Sequence, residues 1–316
     1  MPSPLLSRRF IVVAGKGGVG RTTVSAALAR AAHRTGKRVL LAQMESSDRL
    51  ARLLGAAAPI GPDVVEIEPG LSAVNMTPQT ALHEYGLMVL HYETITRALF
   101  ENRAARGFLR AIPGLDAYAM LGKAWWHTTE LRGVGPRYDL VILDGPASGH
   151  GVRMLSIPKA ILDAVPKGPL ARDALAMNTL FTDATQAALL VVTLPEELPA
   201  LETATLVRDV RRDIGMSLGP LVVNGVPAPA LAAPPLLQAL EAESGKTTDP
   251  EMRHALQGIR LLAERRRDAA QILARLATEP GLPMIELPRL PETDLGPEEV
   301  AQLADALALG LTATAT

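Results

Sequence analysis

Phe10-Ile-Val-Val-Ala-Gly15-Lys16-Gly17-Gly18-Val19-Gly20-Arg21-Thr22-Thr23-Val24 is the stretch that decides the fold. Its first five residues form an apolar run rich in branched side chains, the pattern of a buried strand. A glycine-rich loop follows at once. From Thr22 to about Thr35 the chain predicts a helix, because Ala26, Ala27, Leu28 and Ala31 are good helix formers and Gly36 supplies the stop. Strand, glycine loop and helix, in that order, form the context a phosphate-binding loop requires.

The residue types say what such a loop does. Gly15, Gly17, Gly18 and Gly20 let the backbone come close to a polyphosphate, with Val19 between them, and turn its N–H groups inward. The helix beginning near Thr22 and Thr23 adds its positive end. The Thr22 hydroxyl stands where Mg2+ is normally held beside the β- and γ-phosphates. One position departs from the G-x-x-x-x-G-K-[ST] pattern: Arg21 replaces the lysine. A second cation, Lys16, follows the first glycine directly.

This arrangement resembles the deviant phosphate loop, x-K-G-G-x-G-K-[ST], of the ArsA, MinD and ParA group of dimeric nucleotidases. In those families an early "signature" lysine reaches the phosphates of the facing subunit, so the resemblance implies that Lys16 is a cation acting in trans.

A second stretch carries the same resemblance further. Leu140 to Leu143 is a buried strand that delivers Asp144 to its C-terminal end, the position where a carboxylate holds Mg2+. The following Gly-Pro-Ala-Ser148-Gly-His150-Gly-Val-Arg resembles the ArsA-family switch II sequence, D-x-[AP]-P-T-G-H-x-L-R, with Ser148 in the threonine position. Such a switch senses the γ-phosphate and changes shape on hydrolysis. His150 is given a switch role and no proton-transfer role.

The remaining strands fall at Lys37–Gln43, Leu71–Met76, Ala187–Leu194, Leu218–Val223 and Leu282–Leu287. The first follows the opening helix closely, which makes a β-α-β unit and therefore a parallel sheet. Ligand-contacting residues in such sheets sit just past the C-terminal ends of the strands. By resemblance, Glu45 takes the place of the carboxylate that orients the attacking water. Asp48 is the competitor, and could equally cap the helix that begins at Arg49. Asn224, after the strand Leu218–Val223, stands where the family has an asparagine that reads the adenine edge; an Asn-Gly turn with Gly225 is the alternative. Pro288 opens a proline-rich segment resembling the family's loop beside the base.

Together these features predict an α/β fold, a doubly wound and mostly parallel sheet flanked by helices. It would form a single P-loop ATPase domain over residues 8–309, with helical insertions at about 77–135, 156–186 and 228–280 and a frayed tail at 310–316. Of the adjacent Trp125 and Trp126, helical spacing turns one away from the core toward a partner or ligand.

Composition narrows the function. The chain has 316 residues, 48% hydrophobic and 21% charged, with formal net charge −1, so a basic nucleic-acid-binding body is not expected. With no cysteine, disulfides, thiolate metal sites and the zinc clasp of the eukaryotic tail-anchored targeting factors are excluded. No apolar run approaches the ~20 residues a membrane span needs, and the expected location is cytoplasmic. The resemblance implies ATP/ADP and Mg2+ as ligands, and slow hydrolysis coupled to opening and closing of a dimer. The partner would be a second copy or a paralogous ArsA-like subunit, since related bacterial proteins occur as adjacent pairs. A hydrophobic or membrane-protein client is a further expectation. Arginine at position 21 is longer, planar and forked, so weakened hydrolysis and a regulatory subunit form the alternative.

Overall fold

A computed structural model of the chain describes residues 4–44, 49–90, 114–145, 150–165, 167–244, 246 and 249–314. The described strands are β1 Phe10–Ala14, β2 Val39–Met44, β3 Val65–Glu68, β4 Leu71–Met76, β5 Leu131–Arg132, β6 Gly135–Pro136, β7 Leu140–Asp144, β8 Ala187–Thr193, β9 Leu218–Val226 and β10 Met284–Pro288. Eight of them form one sheet in the order β10-β9-β8-β1-β7-β2-β4-β3, and β5 and β6 pair separately. Every neighbour in the large sheet is parallel except the edge pair β3 and β4.

The described helices are α1 Arg21–His33, α2 Arg49–Leu54, α3 Pro78–Leu90, α4 Leu115–Thr129, α5 His150–Ala164, α6 Pro169–Thr182, α7 Glu197–Asp209, α8 Pro234–Ser244, α9 Pro250–Thr278 and α10 Pro297–Ala313. They cover both faces of the sheet, as a sheet of parallel apolar strands demands. Alternation along β1 shows how. Ile11 and Val13 face α1 and α10, in a core with Val24, Leu28, Leu303 and Leu307. Phe10 and Val12 face the opposite layer, with Tyr118, Leu121, Met177 and Phe181. The Phe10 ring stacks on that of Phe181 at 5.5 Å between centroids. The first core is built largely of alanine, valine and leucine, and the small side chains of α1 let α10 lie close against it.

From β1 the chain winds outward through α1 to β2, then returns to β7 between them and crosses to β8 on the far side of β1. The winding therefore reverses at β1, and the crevice at such a reversal, beyond the strands' C-terminal ends, is where ligands bind in open α/β sheets. The glycine loop leaves β1 at that point.

The expected α/β class, the parallel sheet and its main strands are present. Several local readings change. The helical stretch after Thr77 ends at Thr129, and the chain then makes the small β5–β6 ribbon around Gly133, whose φ of +65° suits a tight turn. Helix α5 begins at His150, ahead of the expected start of the second insertion. The C-terminal segment does not fray after Leu309: α10 runs through Ala313, anchored by Leu311, which is 1% exposed. Strand β3, absent from the sequence expectation, pairs with β4 across Pro69-Gly70. Asn224 and Gly225 lie inside β9, which runs on to Val226, so they do not form a turn closing the strand. Trp125 packs partly buried against the core and Trp126 is 38% exposed.

Candidate functional site

The loop between β1 and α1 needs its glycines for two reasons. A Cβ on Gly15 would lie 2.3 Å from the backbone oxygen of Val192 at the end of β8, so no side chain fits there. Gly18 and Gly20 both have φ of +87°, the left-handed region that side chains rarely adopt. Val19 between them is buried and pins the loop to the core. Helix α1 then opens at Arg21 with no acidic residue in its own first turn to offset the positive end of its dipole.

Beneath that first turn lies a buried polar cluster. The Thr22 hydroxyl donates to Asp144 Oδ2 at 2.7 Å, and the Ser25 hydroxyl approaches Oδ1 at 3.3 Å. Gln43, at the end of β2 and in register with Asp144, donates through Nε2 to Oδ2 at 3.1 Å. Asp144 is only 4% exposed. Burial pushes its carboxyl above the usual carboxylate range, opposed by the Thr22 hydroxyl, the Arg21 charge, Gln43 and Ser25. A hydroxyl and a carboxylate side by side are hard oxygen donors, the set that Mg2+ takes. Thr23, next along the helix, is buried.

The two cations of the loop go different ways. The Arg21 guanidinium, whose pKa burial lowers and Asp144 partly restores, donates through Nη1 to the carbonyl oxygen of Gly145, the first residue after β7. Lys16 Nζ pairs with Glu202 Oε1 of α7 at 2.6 Å.

On the other side of the loop, Asn224 Nδ2 donates to the carbonyl oxygen of Val19 at 3.0 Å. Asn224 also borders a cleft of about 650 Å³, lined further by Pro288, Leu262, Leu290, Leu295 and Arg289. An adjoining cleft of about 770 Å³ shares Gly225, Pro227, Arg265 and Arg289 with it and extends to Glu196 and Ile272. These clefts lie beyond the C-terminal ends of β8, β9 and β10.

Of the residues picked from sequence, Gly15 to Thr23, Asp144, Asn224 and Pro288 are thus gathered around one crevice, with Lys16 turned toward α7. Glu45, Asp48 and Ser148 lie outside the described residues. His150 is the first residue of α5. Sequence reasoning passed over Gln43 and Ser25, and it gave Glu202 no role. The signal for Gln43 was present: along β2, Val39, Leu41 and Gln43 share a face, and so do Leu140, Ile142 and Asp144 along β7, so the two polar residues emerge side by side under α1.

A glycine loop leading into a helix, backed by a strand-end carboxylate bonded to the helix's first hydroxyl, on a doubly wound sheet, defines a P-loop nucleotidase. The chain belongs to the anion-transporting ATPase family, ArsA ATPase, whose model matches residues 8–167. It is an ATP-binding ATPase of that family. It is similar over most of its length to ATPase BagA of Mycobacterium tuberculosis, at 29% identity over 303 residues that cover 92% of this chain and 88% of the relative. Two further relatives match about half of it. ATPase GET3 of Kluyveromyces lactis is 29% identical over 49% of this chain and 46% of its own length. The arsenical pump-driving ATPase of Escherichia coli is 27% identical over 50% of this chain and 27% of its own length. Among the described residues no helix is long and apolar enough to cross a membrane.

Proposed function

We propose that the chain binds Mg2+-ATP at the head of α1 and hydrolyses it slowly within a dimer, nucleotide state setting a conformational switch that acts on a client or partner. The observation that carries this reading is the 2.7 Å hydrogen bond from Thr22 to Asp144, directly behind the glycine loop. It supports Thr22 and Asp144 as the residues that hold the metal, which would neutralise charge between the β- and γ-phosphates. The loop amides and Arg21 cradle the phosphates. Asn224 and Pro288 border the space for the base. Glu45, with Asp48 as the competing carboxylate, orients the attacking water. Lys16 leaves Glu202 to meet the phosphates held by the facing protomer, which makes turnover depend on a second subunit.

The second subunit is another copy or a paralogous ArsA-like chain. The contact from Arg21 to the Gly145 carbonyl favours keeping the paralogue in view, because it draws the loop's inner cation toward the segment after β7. A chain built this way suits a weakly active regulatory subunit. ATP turnover by the purified protein separates the two arrangements. Phosphate release by the protein alone, abolished in Lys16→Ala, supports a competent homodimer. Release only after a paralogue is added supports the regulatory subunit. Absence of adenine-nucleotide binding with Mg2+ under both conditions overturns the proposal.

A further inference from the structure

Gln43 is 1% exposed in the ligand-facing end of the sheet, and its amide is only half used. Nε2 lies 3.1 Å from Asp144 Oδ2 and 3.4 Å from Thr22 Oγ1. Oε1 is buried and has no hydrogen-bond partner among the described residues. Leaving a buried carbonyl oxygen unpaired forfeits its hydration with nothing in return, so a structural glutamine would be a poor choice for this position. Its neighbours at β2 positions 39 and 41, Val39 and Leu41, are apolar and fully buried, so a polar side chain at 43 breaks the pattern of their face.

The orientation of the amide is set by chemistry. The Asp144 carboxylate can only accept when ionised, so the NH2 end must face it. That turns the carbonyl oxygen to the other side of the amide head, where no described residue pairs with it. An acceptor there has one natural complement in an ATP site, the hydrogen of a water held by the metal. Mg2+ keeps several of its waters when bound by one or two protein oxygens, and such waters need acceptors around them.

We propose that Gln43 is a positioning residue of the metal site: its amide nitrogen fixes Asp144 for the metal, and its free oxygen accepts a hydrogen bond from a metal-held water. This rests on the reading of Thr22 and Asp144 as metal-holding residues. Gln43 touches neither nucleotide nor the reacting atoms, so its effect falls on Mg2+ dependence and leaves nucleotide binding without metal unchanged.

The test is a Mg2+ titration of the binding of a fluorescent ATP analogue, run beside a measurement in EDTA. Gln43→Met keeps the length of the side chain and removes both amide functions. It is expected to raise the Mg2+ concentration at half-effect about tenfold or more, with affinity in EDTA within about twofold of wild type. Gln43→Glu keeps an oxygen at the site but replaces the amide donor to Asp144 with a like charge, and is expected to shift the Mg2+ half-point away from that of the wild type. A half-point in Gln43→Met equal to wild type overturns the inference. So does an equal loss of affinity in EDTA, which marks Gln43 as packing alone. Should Gln43→Met fail to fold, by its melting curve in EDTA, Gln43→Glu decides, and an unchanged half-point refutes the role. If wild-type binding ignores Mg2+, the metal site itself falls, and this inference with it. Normal Mg2+ dependence in the wild type combined with an indifferent Gln43→Met removes only the role of Gln43.

Discussion

Lys16 and Glu202 form an ion pair inside one chain, Nζ to Oε1 at 2.6 Å, and so hold the cation proposed to serve a neighbour against its own α7. Both side chains are about one-third exposed, at 31% and 38%, so solvent screens the pair and its worth is at most about 1 kcal/mol. That is small enough to be exchanged for contacts to a triphosphate and large enough to bias a dimer equilibrium.

Glu202→Gln is therefore expected to tighten ATP-dependent self-association up to about fivefold, the factor that ~1 kcal/mol represents. Sedimentation equilibrium with and without ATP measures it. If association is equal in both proteins, the pair does not hold Lys16 back.

Arg21→Lys exchanges a fork that reaches the Gly145 carbonyl for a compact ammonium. The expected outcome is faster phosphate release with ATP affinity little changed, because the compact cation serves the phosphates without the fork's competing bond to the Gly145 carbonyl. Arg21→Ala removes the charge altogether and is expected to weaken ATP binding by about 10-fold or more, the loss of a charge-assisted hydrogen bond. Steady-state turnover and equilibrium binding separate the two effects.

The loop glycines differ in what they tolerate. Gly15→Ala drives a methyl into the backbone oxygen of Val192, which cannot move aside, and is expected to cost about 3 kcal/mol. Gly18→Ala meets nothing within 4 Å and carries only the strain of its φ, about 1 kcal/mol. Urea unfolding of the two variants should rank them in that order.

Far from the crevice, the Glu130 carboxylate is held below its ordinary range. Burial works against this, but the His127 contact at 2.5 Å and the Arg137 contact at 2.9 Å outweigh it. A carboxyl with a depressed folded pKa adds stability above its unfolded value, near 4.3, and loses it as pH falls through the folded value. The melting temperature should therefore fall below about pH 5 more steeply in the wild type than in Glu130→Gln. Parallel melting curves from pH 6 to 3.5 would contradict the assignment.

The order of elements around the loop was readable because it is written locally. Branched apolar runs, glycines and a strand-end aspartate sit within a few residues of one another at Phe10–Thr23 and Leu140–Asp144. The partners of Lys16 and Arg21 were not readable in this way. Glu202 is 186 positions from Lys16, and Gly145 is 124 from Arg21, so only the sheet order brings them together. Strand β3 was missed although Val65-Glu-Ile-Glu68 alternates as a half-buried edge strand does. Its four residues are too short to stand out beside the Pro-Gly turn that follows. The C-terminal helix was cut short because Gly310 to Thr316, a stretch of low helix propensity, shows no core residue pattern. Packing of Leu311 overrides that propensity.

The hydrogen bond from Asn224 to Val19 has a consequence for how a ligand is felt. It fastens the end of β9, bordering the roomier clefts, to the backbone of the narrow turn at the head of α1. The two halves of a nucleotide's berth are thus tethered. Any pull on the Asn224 side chain therefore reaches the glycine-loop backbone through a single hydrogen bond, and the cleft side and the loop side of the crevice do not move independently.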